Sequence, residues 1–355
     1  MSVVHRFVFD ANLFNGTATE ALDVIDFTWS MDMDRVPAIQ GTMTVDDPGD
    51  TIWNQMDPRP RDPGAVILYK VYRYSSDIGG DETRQDFPPN PGIGGKLWIT
   101  SATRNLTMGT ITLELESGES KLEEYRNSTT AALATGAGSV RALIDYVLNA
   151  AGEPSLYSYD SVVSSTTLPA GTRRDWEPGD TGNDVIEPEL DAINCRLWFT
   201  PIGLWTAGSR NTPPPSPTST VNLKDGSNGT VIEATHGRTR EGEFYDSSLI
   251  RYQYTPAGGT ETIAYYASSS TGAPRAKTRF TTVERPRPSN DPTDAQAARD
   301  KKRGENVVVT CAIALDVWPG ATLNLTVGGR TYTGLSIRAV TYNPADGTME
   351  IGAQT

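Results

Sequence analysis

The sequence predicts a mainly β protein with minor α, and three observations carry that prediction. The 355 residues include 33 Gly and 24 Pro, and the hydrophobic residues, 37% of the chain, fall in short scattered runs. Many short strands joined by turns suit that pattern better than a helical bundle. Hydrophobic spacing is close to two toward both ends, and helical spacing is confined to three stretches between them.

Residues 1–127 read as strands throughout. HRFVFDA alternates, ALDVIDFTWSMDMD is a strand pair or one long bent strand, and GTMTVDDP is a strand ending at a turn. AVILYKVYRY is a buried strand, and the loop DIGGDETRQDFPPNPGIGG leads to KLWITSATRNL and GTITLELES. The last two form a hairpin across Thr107-Met108-Gly109. About six or seven strands make this first β domain, and ESKLEEYRN is a short polar segment at its exit.

STTAALATGAGS (128–139) has small-residue linker composition. Val140, Leu143, Ile144, Val147 and Leu148 then line one face of a helix, with Ser139 as N-cap and Gly152 as C′. Ile186, Leu190, Ile193 and Leu197 form a second stripe, whose helix must carry Pro188 in its first turn. LWFT-PIG-LWTAG (197–208) reads as a hairpin, so 128–210 is a small α+β domain. NTPPPSPTS (211–219) is polyproline-like and reads as a semi-rigid connector.

Residues 220–355 form a second β domain. STVNL, GTVIEATHGRTR, SSLIRYQYT, ETIAYYAS and KTRFTTVERP are strands expected to pair with the C-terminal ones. Part of them (about 256–284) is read as an inserted lobe, with SSSTGAPRA (268–276) as a mobile loop. Asp291 is a good N-cap, Pro292 sits where a first helical residue loses nothing, and Asp294 lies in the first turn. Lys301, Lys302 and Arg303 complement the macrodipole in the last turn, before Gly304. VVVTCAIAL (307–315) is a buried strand and WPG (318–320) a turn. Leu323, Leu325 and Val327 alternate with polar residues up to the Gly328-Gly329 hairpin turn. NPADG (343–347) closes a further hairpin.

Net charge is −13, which argues against wrapping nucleic acid, since phosphate binding needs a basic surface. An acidic surface still suits a channel that DNA must pass without sticking. No apolar run approaches a membrane span, and MSVVHRFVFDANLF has no secretory h-region. Cys195 and Cys311 lie in apolar segments and read as buried free thiols, too few for a metal site. The Asn-x-Ser/Thr matches at Asn15, Asn105, Asn127, Asn228 and Asn324 read as chance in a Thr-rich chain.

Catalytic candidates are weighed and set aside. A nucleophile system would need His5 or His236, and no G-x-S-x-G elbow occurs; His236 reads as a strand or turn histidine. Asp180-Thr181-Gly182 matches one aspartic-protease triplet, but a helix start follows it, which favours N-capping. Asp175, Glu177, Asp180, Asp184, Glu187 and Glu189 are read as a solvated acidic rim, since the calcium-loop pattern is absent. Gly95-Lys96 lacks the first Gly and the Ser/Thr of a phosphate loop, having Asn90 and Leu97 instead. Seven Trp and fourteen Tyr are assigned to core packing before any sugar platform. No catalytic, cofactor-binding or metal residue is therefore predicted, and no enzyme.

The order of parts resembles the tail hub (baseplate hub or minor tail protein) family of tailed bacteriophages. The matching residues are Asp294, Ala295 and Ala298 on the last helix, Asp316, Pro319 and Gly320 at the turn, and Gly328, Gly329, Arg330 and Tyr332 at the hairpin. Trp176, Gly179, the second stripe and Gly203-Leu204 match the family's middle domain. The match is best from about Ser139 onward; no motif in the first domain aligns. The resemblance implies that the two β domains are tube-like barrels flanking the α+β domain. It implies a homotrimeric ring with an axial channel at the virion tail tip, assembled in the host cytoplasm. Its partners would be the distal tail or tail tube protein, the tape-measure protein and tip or fibre proteins, with DNA passing unbound. Two other readings stay open: a tail-associated cell-wall hydrolase, and a carbohydrate-binding tail-tip adhesion protein.

Overall fold

A computed structural model describes residues 5–14, 19–59, 65–75, 82–86, 95–168, 175–200, 203–211, 218–227, 229–242, 244–256, 259–270, 276–284, 286 and 292–355. The mainly β, minor α class is what it shows. The N-terminal strands are β1 His5–Phe14, β2 Thr19–Leu22, β3 Val24–Asp32, β4 Ile39–Asp46, β5 Ala65–Ser75, β6 Glu82–Asp86, β7 Gly95–Asn105 and β8 Thr110–Glu116. The segment 19–32 is thus two strands broken at Asp23, pairing with different neighbours: β2 with β1, and β3 with β4. Two expectations need correction here. The stretch read as a loop before Lys96 contains β6, because its backbone finds β5 as a partner. The polar exit segment is a helix, α1 Glu119–Glu124, and its polar face is buried at Glu119 and Ser120.

The middle segment holds α2 Val140–Ala150, α3 Ser161–Ser165, α4 Gly182–Asp191 and the hairpin β9 Cys195–Phe199 with β10 Trp205–Ser209. Ser139 caps α2 as expected, accepting from the Ala142 N–H at 3.2 Å, and Gly152 takes φ +77° just beyond it. Pro188 lies inside α4, not in its first turn. The start of α4 is set upstream by a reciprocal capping box: Thr181 Oγ1 accepts from the Asp184 N–H at 3.1 Å and the Asp184 carboxylate from the Thr181 N–H at 2.8 Å. Ile186, Leu190, Ile193 and Leu197 do share one core, with α2 and Trp176, but only the first two are helical.

The last segment contains β11 Thr220–Lys224, β12 Val231–Arg238, β13 Ser247–Tyr254, β14 Thr262–Ala267, β15 Thr278–Val283 and α5 Thr293–Lys302, then β16 Glu305–Ala312, β17 Thr322–Val327, β18 Arg330–Asn343 and β19 Thr348–Gln354. Asp291 and part of the 268–276 loop fall outside the described residues. Gly328 and Gly329 both have positive φ (56° and 73°), as a two-residue hairpin turn demands. β13, β14 and β15 form a separate three-stranded sheet with β13 at its centre, so that sheet begins upstream of the expected lobe boundary, at Ser247.

The remaining long strands make one 14-stranded sheet running β12-β16-β19-β18-β3-β4-β8-β7-β5-β1-β2, with β6 on β5, β17 on β18 and β11 parallel to β17. The seam between the chain's two ends is antiparallel pairing of β18 with β3, from Ala339 opposite Asp32 to Tyr342 opposite Trp29. A single core runs beneath both sets. It joins Phe9, Phe27, Trp29, Met43 and Leu113 to Val309, Leu323, Ile337, Tyr342 and Ile351.

Candidate functional site

A set of buried polar side chains converges where the large sheet, the middle module and α5 meet. Arg196 sits in the all-buried strand β9 and donates both terminal nitrogens to the carbonyls of Met33 and Arg35, in the turn after β3. Trp198, on the same strand, packs with Met33 and Ala38 of that turn. From α1, the buried Glu119 accepts from the Phe199 N–H at 2.8 Å. Burial pushes its carboxyl up, against the hydrogen bonds it accepts and the nearby Arg196 charge.

Asp34, in the same turn, accepts from Arg338 of β18 at 2.8 Å and pairs with Arg303 at 3.4 Å. Burial opposes its ionisation, yet the Arg338 hydrogen bond and the charges of Arg338, Arg303 and Arg196 hold its carboxyl below the usual range. Arg299 on α5 donates to the Asn194 side chain at 3.0 Å, and the fully buried Asp300 pairs with Arg279 of β15 at 3.2 Å. One helix therefore ties the middle module, the small sheet and the large sheet together. The joint is built from guanidiniums, carboxylates and carbonyls, groups suited to fixing orientation. The sequence signal for it was a lone Arg inside the apolar run CRLWF, which periodicity passes over.

The residues weighed from sequence are scattered. His236 is on β12, its Nε2 2.7 Å from Glu305, which Arg238 also pairs at 2.9 Å. Of the two settings expected for it, strand or turn, it occupies the strand. His5 opens β1, far along the sheet order from β12. The Asp180-Thr181-Gly182 triplet is the cap of α4, and Glu187 lies 3.7 Å from Arg210. Among the described residues no group of three or more His, Cys, Asp and Glu is placed to hold a metal. Lys96 is the second residue of β7, with its amine 3.9 Å above the Trp98 ring. Cys195 and Cys311 are free and buried, and burial pushes their thiols up to about 12 and about 11. Asn105 caps the β7–β8 turn, accepting from Met108 N–H at 3.0 Å, and Asn127 is buried, donating to the Trp176 carbonyl at 2.6 Å. Asn324 bonds Asn222 on the neighbouring β11, while Asn15 and Asn228 lie outside the described residues.

A second feature is an open groove of about 490 Å³ on the polar face of β3, β4, β8 and β7. Thr28, Ser30, Gln40, Thr42, Glu114 and Glu116 line it. Thr42 donates to Glu114 at 2.8 Å and Gln40 to Glu116 at 3.2 Å. Among the described residues no helix is long and apolar enough to cross a membrane.

No protein-family model matches the sequence, and no curated protein does. Solved structures do resemble it along nearly its whole length. A tail protein from Neisseria meningitidis MC58 matches with TM-score 0.56 at 11% identity, covering 98% of this chain and 97% of that one. The 43 kDa tail protein of prophage MuSo2 from Shewanella oneidensis gives 0.54 at 12%, with 98% of each chain covered. Prophage tail protein gp18 from Listeria monocytogenes EGD-e gives 0.55 at 10%, covering 98% and 94%. The chain thus has the fold of these tail proteins.

Proposed function

We propose that this chain is a structural component of a bacteriophage tail tip: a hub that trimerises into a ring around an axial channel. The observation that carries this reading is the end-to-end correspondence of its fold with solved tail proteins. In this reading residues 1–127 and 220–355 each contribute a tube-like β domain, 128–210 is the α+β domain, and 211–219 connects them. Three copies present six such domains side by side, with sheet edges pairing across subunits into a stiff conduit. Edges for that purpose exist, since β12 and β2 end the long sheet. The ring would join the distal tail or tube protein to tip or fibre proteins at the virion tail tip. Tape measure and DNA would pass through a lumen that holds neither. Assembly would take place in the host cytoplasm. The arginine–carboxylate joint serves rigidity, and the role is not enzymatic.

Light scattering on the purified chain, followed by negative-stain imaging of the same peak, tests this. A trimeric ring with a central hole is expected. A monomer that releases fragments from purified cell wall would sink the hub reading in favour of a hydrolase. The hydroxyl- and carboxylate-lined groove favours a second reading, a carbohydrate-binding tail-tip protein. Saturable binding of host cell-wall glycan, lost in Glu114→Ala, would support that one.

A further inference from the structure

Among the described residues, the small sheet packs on α5 with one of its sides. Ile250 and Tyr252 of β13 are buried on the side facing α5, where Ser248 also donates to Gln296 at 2.7 Å. Strand register places Leu249, Arg251 and Gln253 on the other face, opposite Ala267, Tyr265 and Ile263 of β14. Phe280 lies beside Leu249 from β15. Tyr265 is 59% and Phe280 57% exposed, and Ile263 is exposed with them. Three large apolar side chains clustered on one open face are more than scattered surface hydrophobics. In their midst Arg251 is largely covered, and its Nε has no hydrogen-bond partner among the described residues. A guanidinium half-withdrawn from water without a carboxylate is a costly arrangement unless something completes it.

The complementary surface is on the same chain. The β7–β8 hairpin tip projects Leu106 (82% exposed) and Met108 (73%). At that end of the sheet Ile25 is also exposed, and Asp23 and Asp46 are exposed carboxylates joined through the Asp46 N–H to the Asp23 carbonyl at 2.9 Å. One surface is apolar with an unmatched cation; the other is apolar with unmatched anions.

We infer that the hairpin tip of one copy seats on the β13–β15 face of the next, with Leu106 and Met108 against Tyr265 and Phe280 and the neighbouring Asp23 or Asp46 on Arg251. The contact joins unlike patches, so it is head-to-tail, the kind that closes into a ring when its rotation divides the circle. It rests on the proposed hub reading, to whose edge pairing it adds a second contact between subunits.

The test mixes full-length Met108→Cys and Phe280→Cys chains and treats them with a short bismaleimide. The native Cys195 and Cys311, being buried, serve as silent background. A doubly labelled dimer is expected only in the mixture. Arg251→Glu should lower self-association about tenfold, and adding Asp23→Arg and Asp46→Arg to it should restore the association. Near-ultraviolet circular dichroism checks that each variant is folded. A ring of unchanged stoichiometry without the 108–280 cross-link overturns this interface and leaves the hub reading standing. The cross-link in open chains that never close supports the interface and counts against the hub. No self-association and no cross-link overturns the interface, as does cross-linking indifferent to Arg251→Glu.

Discussion

Trp29 and Tyr342 stack across the seam between the two ends of the chain, with ring centroids 4.6 Å apart and planes 19° from parallel. They are register partners on β3 and β18, and both are essentially inaccessible to water. Phe27 stacks on the other side of the series, 4.8 Å from Trp29. The Tyr342 hydroxyl donates to the Val317 carbonyl, so the ring that closes the seam also pins the turn after β16. Trp29→Ala and Tyr342→Ala should each cost about 3–5 kcal/mol in urea unfolding. The double variant should cost less than their sum by about 0.5–1.5 kcal/mol. Strict additivity would mean that the stack carries no energy of its own.

Gly41 lies opposite Trp29 on β4, and its importance is spatial. A Cβ there would stand 2.8 Å from Phe27 Cε2, 3.0 Å from Trp29 Cβ and 3.1 Å from the Thr28 carbonyl oxygen. Two of those neighbours are stacked rings in a filled core, so they cannot give way cheaply. Gly41→Ala should therefore destabilise by about 1–3 kcal/mol. A denaturation midpoint equal to that of the native chain would contradict the close approach.

Glu119 makes stability depend on pH with a definite sign. Burial raises its carboxyl, so the folded chain holds that proton more tightly than the unfolded chain does. Folding becomes less favourable as pH rises from the ordinary Glu range through the raised value, and nothing is lost below it. Glu119→Gln keeps an acceptor for the Phe199 N–H and removes the ionisation. The variant should match the native chain in acid and exceed it at neutral pH in thermal unfolding. Parallel pH profiles for the two would rule this account out.

Asp300 is a fully buried carboxylate that pairs with both Arg279 and Arg299. Removing it takes the carboxylate from two guanidiniums, of which the buried Arg299 keeps, among the described residues, only its bond to Asn194. Asp300→Ala should cost about 3–5 kcal/mol. Because α5 links the small sheet to the rest, limited proteolysis should cut the variant first within 247–283. Cleavage elsewhere, with that region intact, would show that the helix is held by other contacts.

The sequence by itself determined most of the elements. Ser139 and Gly152 bound α2 and the doublet Gly328-Gly329 turns β17 into β18, because caps and tight turns are decided by neighbours within a few residues. The bland readings of His236 and Asp180-Thr181-Gly182 were local in the same sense. Where two local rules competed, as at Pro188 against the Thr181–Asp184 box, the hydrogen-bonded box set the helix start. What only the tertiary structure decided is long-range. The pairing of β18 with β3, the burial of Glu119 against β9 and the salt-bridged joint at Asp34 all unite residues far apart in the chain. Alternation says which face of a strand is buried but not which strand lies beside it. A charge inside an apolar run says that a partner exists, and only the folded chain shows which one.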